Sequence, residues 1–288
     1  MASAGTDMAR GGVVSTQADQ THWEVIAVRF GTRMARKSRV YLNYQIYHEP
    51  DADLAMDYYY WIARRGDQVI LIDTGFNAVS GEKRGRTLLI SPQESLTELG
   101  IDAGTVEHTI ITHMHYDHAG NLNLGSNSQL YLSRLEHNFW TSPMGQRRLF
   151  ASAVEDDDIT AVSELIAAGR LTLTDGDYEV VPGIRALEVG GHTAGELIVI
   201  VSTAMGDVVL ASDAIHYYEE LELDRPFVEL DDLPDVFTTF DTVRGLVANG
   251  ATLVPGHDPE VMRRFPTVPG ARSDLAVVIG GTETKADS

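Results

Sequence analysis

The most consequential absence from the sequence is cysteine, of which its 288 residues contain none. This excludes disulfides, a thiolate nucleophile and any cysteine-bound zinc or iron–sulfur site. Basic residues are also scarce, with 22 Lys and Arg against 42 Asp and Glu, and the formal net charge is −20. Because this charge repels polyanions, the composition argues against nucleic-acid binding and favours a neutral or small charged ligand.

Long apolar segments are missing as well. No apolar run approaches the roughly 20 residues of a membrane span, and residues 1–20 lack the apolar centre of a secretion signal. We therefore expect a cytoplasmic protein that does not bind membranes. Residues 1–20 are small and polar and predict a flexible N-terminal arm or a strand that docks on a partner. Residues 21–288 predict a single domain, for which a homodimer is left open.

Two series of short apolar segments, rich in β-branched residues, predict two sheets. The first series comprises residues 23–30, 56–65 and 67–75, and the second follows residue 170. Between the first two strands, residues 31–55 predict a long loop, which is typical of a segment that borders a functional site. The aromatic string "DYYYW" at 57–61 is interpreted mainly as core rather than as the lining of an acyl-chain tunnel.

Two helices are predicted with defined ends. Residues 91–100 begin with Ser91 as N-cap and Glu94 three residues later, and they end on a glycine. Residues 232–250 have amphipathic helical spacing and also end on glycine. Because strands are followed by helices in both halves, the sequence predicts two sheets packed together with helices outside.

The segment "ITHMHYDHAGN" at 111–121 concentrates three histidines and one aspartate within six positions. In an extended chain His113 and His115 lie on one face, because side chains alternate with period two, so both imidazoles can bind one cation. If a helix begins after them, Asp117 and His118 point back toward a second, neighbouring position. This spacing favours two metal ions over one.

Four ligands do not complete two metal sites, so further ligands are expected at later strand ends. His192 lies in "GGHTAG", Asp213 ends the strand "VVLASD", and His257 follows the strand in "LVPGHD". A lone residue of this kind is more often structural, but co-occurrence with the histidine cluster favours a ligand role. Asp213 can bridge two cations, because its two oxygens can each bind a different ion.

These motifs together resemble the metallo-β-lactamase superfamily. The strings "LIDTG", "THMHYDHAGN", "GGHTAGE", "ASDA" and "VPGHD" occur in the order of that family, over roughly residues 23 to 265. The resemblance implies an αββα sandwich, with two mixed β-sheets and helices on the outer faces. It also implies His113, His115 and His192 on one metal, Asp117, His118 and His257 on the other, and Asp213 bridging the two.

The resemblance further implies a hydrolase with two divalent cations. Zinc is the first expectation, and Mn, Fe or Co also suit these ligands. A metal-bridging hydroxide would attack an ester carbonyl, and Asp117 has a second role open to it as a proton shuttle. The layout is most similar to the N-acyl homoserine lactonases, which predicts a small-molecule lactone substrate and a role in quorum quenching.

One position departs from that group. Lactonases of this type often carry tyrosine three residues after the bridging aspartate, where this chain has His216, followed by Tyr217 and Tyr218. Either His216 or Tyr217 is predicted to assist the carbonyl or the leaving group, unless His216 only packs. Tyr116 is expected to line the substrate pocket. Asp73 and Asp258 are expected to orient ligands or to hold turns.

Several alternatives to a homoserine lactonase stay open from the sequence. The substrate could be another cyclic ester or a lactam, or a thioester as in glyoxalase II-like enzymes. The same ligands also suit a single-iron sulfur dioxygenase or a metal-stabilised binding protein. Two metal ions per chain are required by the hydrolase interpretation.

Overall fold

A computed structural model of the chain describes residues 22–281. The predicted N-terminal arm, residues 1–20, lies outside the described residues. The described chain forms one eight-stranded and one five-stranded sheet. The strands of the large sheet are β1 Glu24–Arg36, β2 Asp53–Arg65, β3 Gln68–Ile72, β4 Thr87–Leu88, β5 Val106–Ile110, β6 Gln129–Ser133, β7 Leu171–Thr174 and β13 Ala276–Gly280. Those of the small sheet are β8 Tyr178–Val181, β9 Ile184–Glu188, β10 Leu197–Thr203, β11 Gly206–Ser212 and β12 Thr252–Pro255.

Both sheets are mixed. The large sheet has the order β13-β1-β2-β3-β5-β6-β7, with β4 paired to β1, and the small sheet has the order β12-β11-β10-β9-β8. Strands β3, β5, β6 and β7 pair in parallel, as do β11 and β12, whereas the other neighbours are antiparallel. Because parallel strands end at the same edge, the loops after β3, β5, β11 and β12 have the positions required to form one site.

The helices cover the outer faces of the sheets. One apolar cluster lies between the sheets and joins residues such as Trp61 and Ile72 to Val199 and Leu210, while separate clusters lie outside each sheet. This arrangement confirms the predicted αββα sandwich. The helices are α1 Lys37–Val40, α2 Ala78–Lys83, α3 Pro92–Glu98, α4 Tyr116–Ala119, α5 Arg134–Trp140, α6 Arg148–Ala151, α7 Asp156–Ala167, α8 Tyr218–Leu223, α9 Leu233–Ala248 and α10 Glu260–Arg264.

Both predicted helices are present. Helix α3 has the complete capping box, in which Ser91 Oγ accepts from the Glu94 N–H and the Glu94 carboxylate accepts from the Ser91 N–H. Helix α9 is capped by the Asp232 side chain. The aromatic string in β2 is buried on both faces, because both faces of this sheet are covered, so its interpretation as core is confirmed.

The predicted loop at 31–55 is wrong at both of its ends. Strand β1 continues to Arg36 and β2 begins at Asp53, so the two strands pair far beyond the expected boundary. A β-bulge between Arg29 and Gly31 interrupts the alternation of side chains. Beyond this bulge the strand carries mostly polar residues that are partly or fully exposed, and such residues have the pattern of a loop.

Candidate metal centre

Four loops at one edge of the sandwich carry the seven predicted ligands. The segment after β5 holds His113 and His115 and runs into α4, whose first turn holds Asp117 and His118. The β9–β10 loop holds His192. Asp213 directly follows β11, and His257 lies two residues beyond β12. The parallel pairings β3–β5 and β11–β12 explain why these loops meet.

The seven side chains form two adjoining clusters. Within each cluster the donor atoms lie within 4.8 Å of one another, and every member is buried. The first cluster contains His113, His115, His192 and Asp213, and the second contains Asp117, His118 and His257.

The two oxygens of Asp213 face different clusters. Oδ1 lies 2.9 Å from His257 Nε2 and 3.1 Å from His118 Nε2. Oδ2 lies 3.4 Å from His192 Nε2 and 3.8 Å from His113 Nε2. This is the orientation that a carboxylate bridging two cations requires.

The outward ring nitrogens of the histidines are held by protein acceptors. His118 Nδ1 lies 2.8 Å from Asp73 Oδ2, and His257 Nδ1 lies 2.8 Å from the Asp57 carbonyl oxygen. His192 Nδ1 lies 2.8 Å from the Glu229 carbonyl oxygen. A proton held on Nδ1 by such an acceptor leaves Nε2 with a free lone pair directed into the cluster.

The inward atoms fit a pair of metal ions. Nε2 of His113, His118 and His257, together with Asp213 Oδ1, are buried without a hydrogen-bond partner among residues 22–281. Buried polar atoms are costly unless satisfied, and one cation bound in each cluster would satisfy all four. Burial also lowers the pKa of His113 well below its usual range, with His118 and His115 adding to that effect. A neutral imidazole is the form that binds a metal.

Two non-glycine residues with left-handed backbone support the site. Asp73 has φ of 63° and Ser212 has φ of 47°, each at the end of a strand that leads into the site. Thr112 joins them, since its hydroxyl lies 2.9 Å from Asp73 Oδ2 and 2.8 Å from Ser212 Oγ. Such strained residues concentrate at functional sites. A Cβ at Gly256 would collide with the Ser212 carbonyl oxygen, so only glycine fits beside that turn.

Replacing Asp73 with Asn is expected to weaken metal binding about 10- to 100-fold, because Asp73 fixes the ring of His118. Titration against a chromophoric chelator measures this affinity. The matched control is Asp67→Asn, at an exposed turn, which should leave the affinity unchanged. Equal affinities for the two variants would contradict the role assigned to Asp73.

Tyr116, His216 and Tyr217, the other predicted site residues, have different surroundings from one another. Tyr116 lines the main cavity, and its hydroxyl accepts from Arg86 Nε at 2.9 Å. His216 is buried behind Asp213, with Nε2 3.2 Å from Asp213 Oδ2, and stacks on Phe227 at 3.6 Å between ring centroids. The Tyr217 hydroxyl donates to the Ala55 carbonyl. Neither His216 nor Tyr217 lines the main cavity, so their roles on substrate stay predictions.

Asp258 holds a turn, since its carboxylate accepts the backbone N–H groups of Tyr218 and Glu260 at 3.0 and 2.9 Å.

Sequence reasoning missed two buried glutamates. Glu196 Oε2 lies 3.2 Å from His113 Nδ1 and directly follows the quoted "GGHTAG" motif. Glu136 accepts from the backbone N–H groups of Met114 and Gly195 and from Trp140 Nε1. It therefore ties the histidine motif to the His192 loop. No local sequence pattern indicates this role, because Glu136 has the sequence context of an ordinary polar residue in a short helix.

Two larger cavities adjoin the centre, beside a small one of about 10 Å³ that is lined by His192, Asp213 and His216 among others. The main one, of about 250 Å³, reaches Asp117, Asp213 and His257 and is walled by arginine and tyrosine side chains. The other, of about 110 Å³, adjoins His115 and His192 and is lined by apolar side chains that include Phe139, Trp140 and Leu149.

An αββα sandwich with His/Asp clusters that fit a dinuclear metal site defines a class of metalloprotein. A family model described as the metallo-beta-lactamase superfamily matches residues 55–263. The chain therefore belongs to the metallo-β-lactamase superfamily, and the resemblance inferred from its motifs is confirmed.

Curated relatives include N-acyl homoserine lactonases. The chain is 27% identical over 177 residues to one from Bacillus sp, covering 56% of this chain and 65% of the relative. It is 28% identical over 178 residues to N-acyl homoserine lactonase AiiA of Bacillus thuringiensis subsp. kurstaki, with the same coverage. The alignment thus spans less than two thirds of the length of these relatives.

Solved structures share the fold. A quorum-quenching N-acyl homoserine lactone lactonase superposes with a TM-score of 0.69 at 21% identity, covering 86% of this chain and 98% of that one. AidC, described as a dizinc quorum-quenching lactonase, gives 0.64 at 18% identity, covering 91% and 96%. Within residues 22–281, no helix has the length and apolarity needed to cross a bilayer.

Proposed function

We propose that the chain is a metal-dependent hydrolase that opens the lactone ring of N-acyl homoserine lactones, and thereby quenches quorum sensing. The observation that carries the proposal is the orientation of Asp213, whose two oxygens face two separate clusters of buried donors. The second cluster, Asp117, His118 and His257, is buried throughout. A complete second cluster favours a two-metal hydrolase over a single-iron dioxygenase. The names of the curated relatives support the lactone substrate.

The seven clustered residues are the proposed metal ligands, with zinc as the proposed metal. Divalent cations bound there supply Lewis acidity for an ester carbonyl and a nucleophilic water at neutral pH. Asp117 lines the main cavity and can pass a proton to the alcohol that leaves when the ring opens. His216, held between Asp213 and Glu220, keeps the bridging carboxylate oriented.

The apolar cavity is the proposed site of the acyl chain. It adjoins His115 and His192 on the side of the first cluster, and Phe139, Trp140 and Phe150 supply its surface. Aromatic side chains of this kind bury alkyl groups favourably, at about 0.8 kcal/mol for each CH₂. If the lactone ring of the substrate lies against the two ligand clusters, its acyl chain can reach this apolar cavity.

The test combines metal analysis with a substrate panel. Purified protein is expected to hold two metal ions per chain and to release acid from N-acyl homoserine lactones of short and long acyl chain. Other γ-lactones and a glutathione thioester are the comparison substrates, and chelator-treated protein is the control. One metal ion per chain together with no turnover of any lactone would contradict the proposal.

A further inference from the structure

The main cavity has a cationic side that the proposed chemistry does not require. We define the arginine wall as Arg33, Arg84 and Arg86 together with Tyr58 and Tyr116, all of which line this cavity. Arg84 forms an ion pair with Glu155 and stacks on the Tyr116 ring at 4.0 Å. Within residues 22–281, Arg33 and Arg86 form no ion pair with a carboxylate. Acidic residues outnumber basic ones almost two to one in this chain, so unpaired arginines at a cavity are unexpected.

The pairing of β4 with β1 brings these two arginines together. Leu88 pairs with Gly31 and Thr87 pairs with Thr32 in antiparallel register. Arg86 directly precedes β4, so both arginines stand next to the last paired residues of this ladder, and both line the main cavity. Like charges that face one cavity repel each other. An anion bound between the two guanidinium groups would turn this repulsion into attraction.

The contacts of the two arginines leave hydrogen-bond donors available. Arg33 Nε contacts Met56 Sδ at 3.0 Å, and a thioether is a weak acceptor. Arg86 uses Nε on the Tyr116 hydroxyl and Nη1 on the Arg84 carbonyl oxygen, at 2.9 and 2.7 Å. The Tyr116 hydroxyl accepts from Arg86 and also forms a hydrogen bond with the Tyr58 side chain, so the available donors of the wall belong to the guanidinium groups.

We propose that the arginine wall binds a carboxylate or phosphate group of the substrate, separate from the ester that is cleaved. The substrate is then a lactone with an anionic substituent; the inference rests on the proposed lactone-opening chemistry and replaces the neutral homoserine lactone with a charged lactone. A guanidinium matches either oxyanion through two parallel hydrogen bonds, which a neutral homoserine lactone cannot use. The wall and the clusters line the same cavity, so one small molecule can contact both.

Paired substrates test the proposal. γ-Butyrolactone-3-carboxylate is compared with its methyl ester, and 6-phosphogluconolactone with gluconolactone, which separates carboxylate from phosphate recognition. Wild-type protein is expected to have a kcat/KM about 10- to 100-fold higher for the charged member of one pair. The ratio of kcat/KM for the charged member to kcat/KM for the neutral member should fall at least about tenfold in Arg33→Gln and in Arg86→Gln. Arg33→Lys should retain part of this preference. The matched control is Arg185→Gln on β9, which is paired with Asp207 and lines neither cavity.

Binding to metal-free protein supplies a readout independent of turnover. Calorimetry with inorganic phosphate and with γ-butyrolactone-3-carboxylate should detect binding to the wild type and about tenfold weaker binding to each Gln variant. The melting temperatures of the variants establish that they are folded. Lactone turnover without charge preference and without anion binding would overturn the inference and leave the proposed function intact. Anion binding without turnover of any lactone would overturn the proposed function and support the arginine wall as an anion site.

Discussion

Alanine at position 213 is expected to lower kcat/KM for lactone hydrolysis by on the order of 1,000-fold, the scale of losing one transition-state contact in a water-excluded site. The reason is geometric and electrostatic. Asp213 is the only one of the seven clustered side chains whose two donor atoms face both clusters. Its removal would take one ligand from each proposed metal and also the negative charge that lies between them. Kinetic assays together with metal analysis of the purified variant measure both effects.

The control for this substitution is Asp207→Ala on the same strand. Asp207 is 43% exposed and its side chain contacts Ser202 and Arg185, so we expect the kcat/KM and metal content of this variant to match the wild type. If Asp213→Ala retained two metal ions per chain and most of the activity, the bridging role of this carboxylate would be untenable.

Replacing Glu136 with alanine is expected to lower the free energy of unfolding by about 3–5 kcal/mol. The Glu136 side chain is fully buried and accepts three hydrogen bonds, at 2.8 Å from the Met114 N–H, 2.6 Å from Trp140 Nε1 and 3.1 Å from the Gly195 N–H. Alanine would leave all three donors buried and unsatisfied. Denaturation in urea of the metal-free protein measures the loss without a contribution from bound cations.

Two further variants sharpen the test of Glu136. A glutamine side chain would keep the shape but lose the charge and one acceptor, so Glu136→Gln should cost roughly half as much as Glu136→Ala. Glu164→Ala, at an exposed position of α7, should change the stability by less than about 0.5 kcal/mol. A loss below about 1 kcal/mol in Glu136→Ala would show that water replaces the carboxylate without cost, contrary to our expectation.

The metal centre was predictable because its signals are local. The period of two in an extended chain aligns His113 with His115, and strand-end motifs mark His192, Asp213 and His257. Each of these residues can be recognised from the strand that directly precedes it in the sequence. The capping box of α3 was predictable for the same reason, since Ser91 and Glu94 are three residues apart.

What escaped prediction depends on contacts between distant segments. Glu136 acts on Met114 and Gly195, which lie on two other loops, and nothing in its own neighbourhood indicates this. Likewise, Arg33 and Arg86 are distant in the sequence but line the same cavity in the fold, where β4 pairs with β1. The length of β1 was missed because its C-terminal half is mostly polar and partly exposed. Alternation of apolar and polar residues therefore does not indicate a strand there. The prediction that His216 or Tyr217 assists the substrate, unless His216 only packs, stays a prediction, since the imidazole lies behind Asp213 and the Tyr217 hydroxyl donates to the Ala55 carbonyl.

The two clusters have a further consequence for the chain as a polymer. Each one combines side chains that follow strands of the large sheet with at least one that follows a strand of the small sheet. A cation held by either cluster is therefore a cross-link between the two halves of the molecule. In a chain without cysteine, such an ion does what a disulfide does elsewhere: it closes a long loop and restricts the unfolded ensemble. Separating the sheets would then break metal–ligand bonds, so the metal-bound chain is expected to unfold more slowly than the metal-free chain.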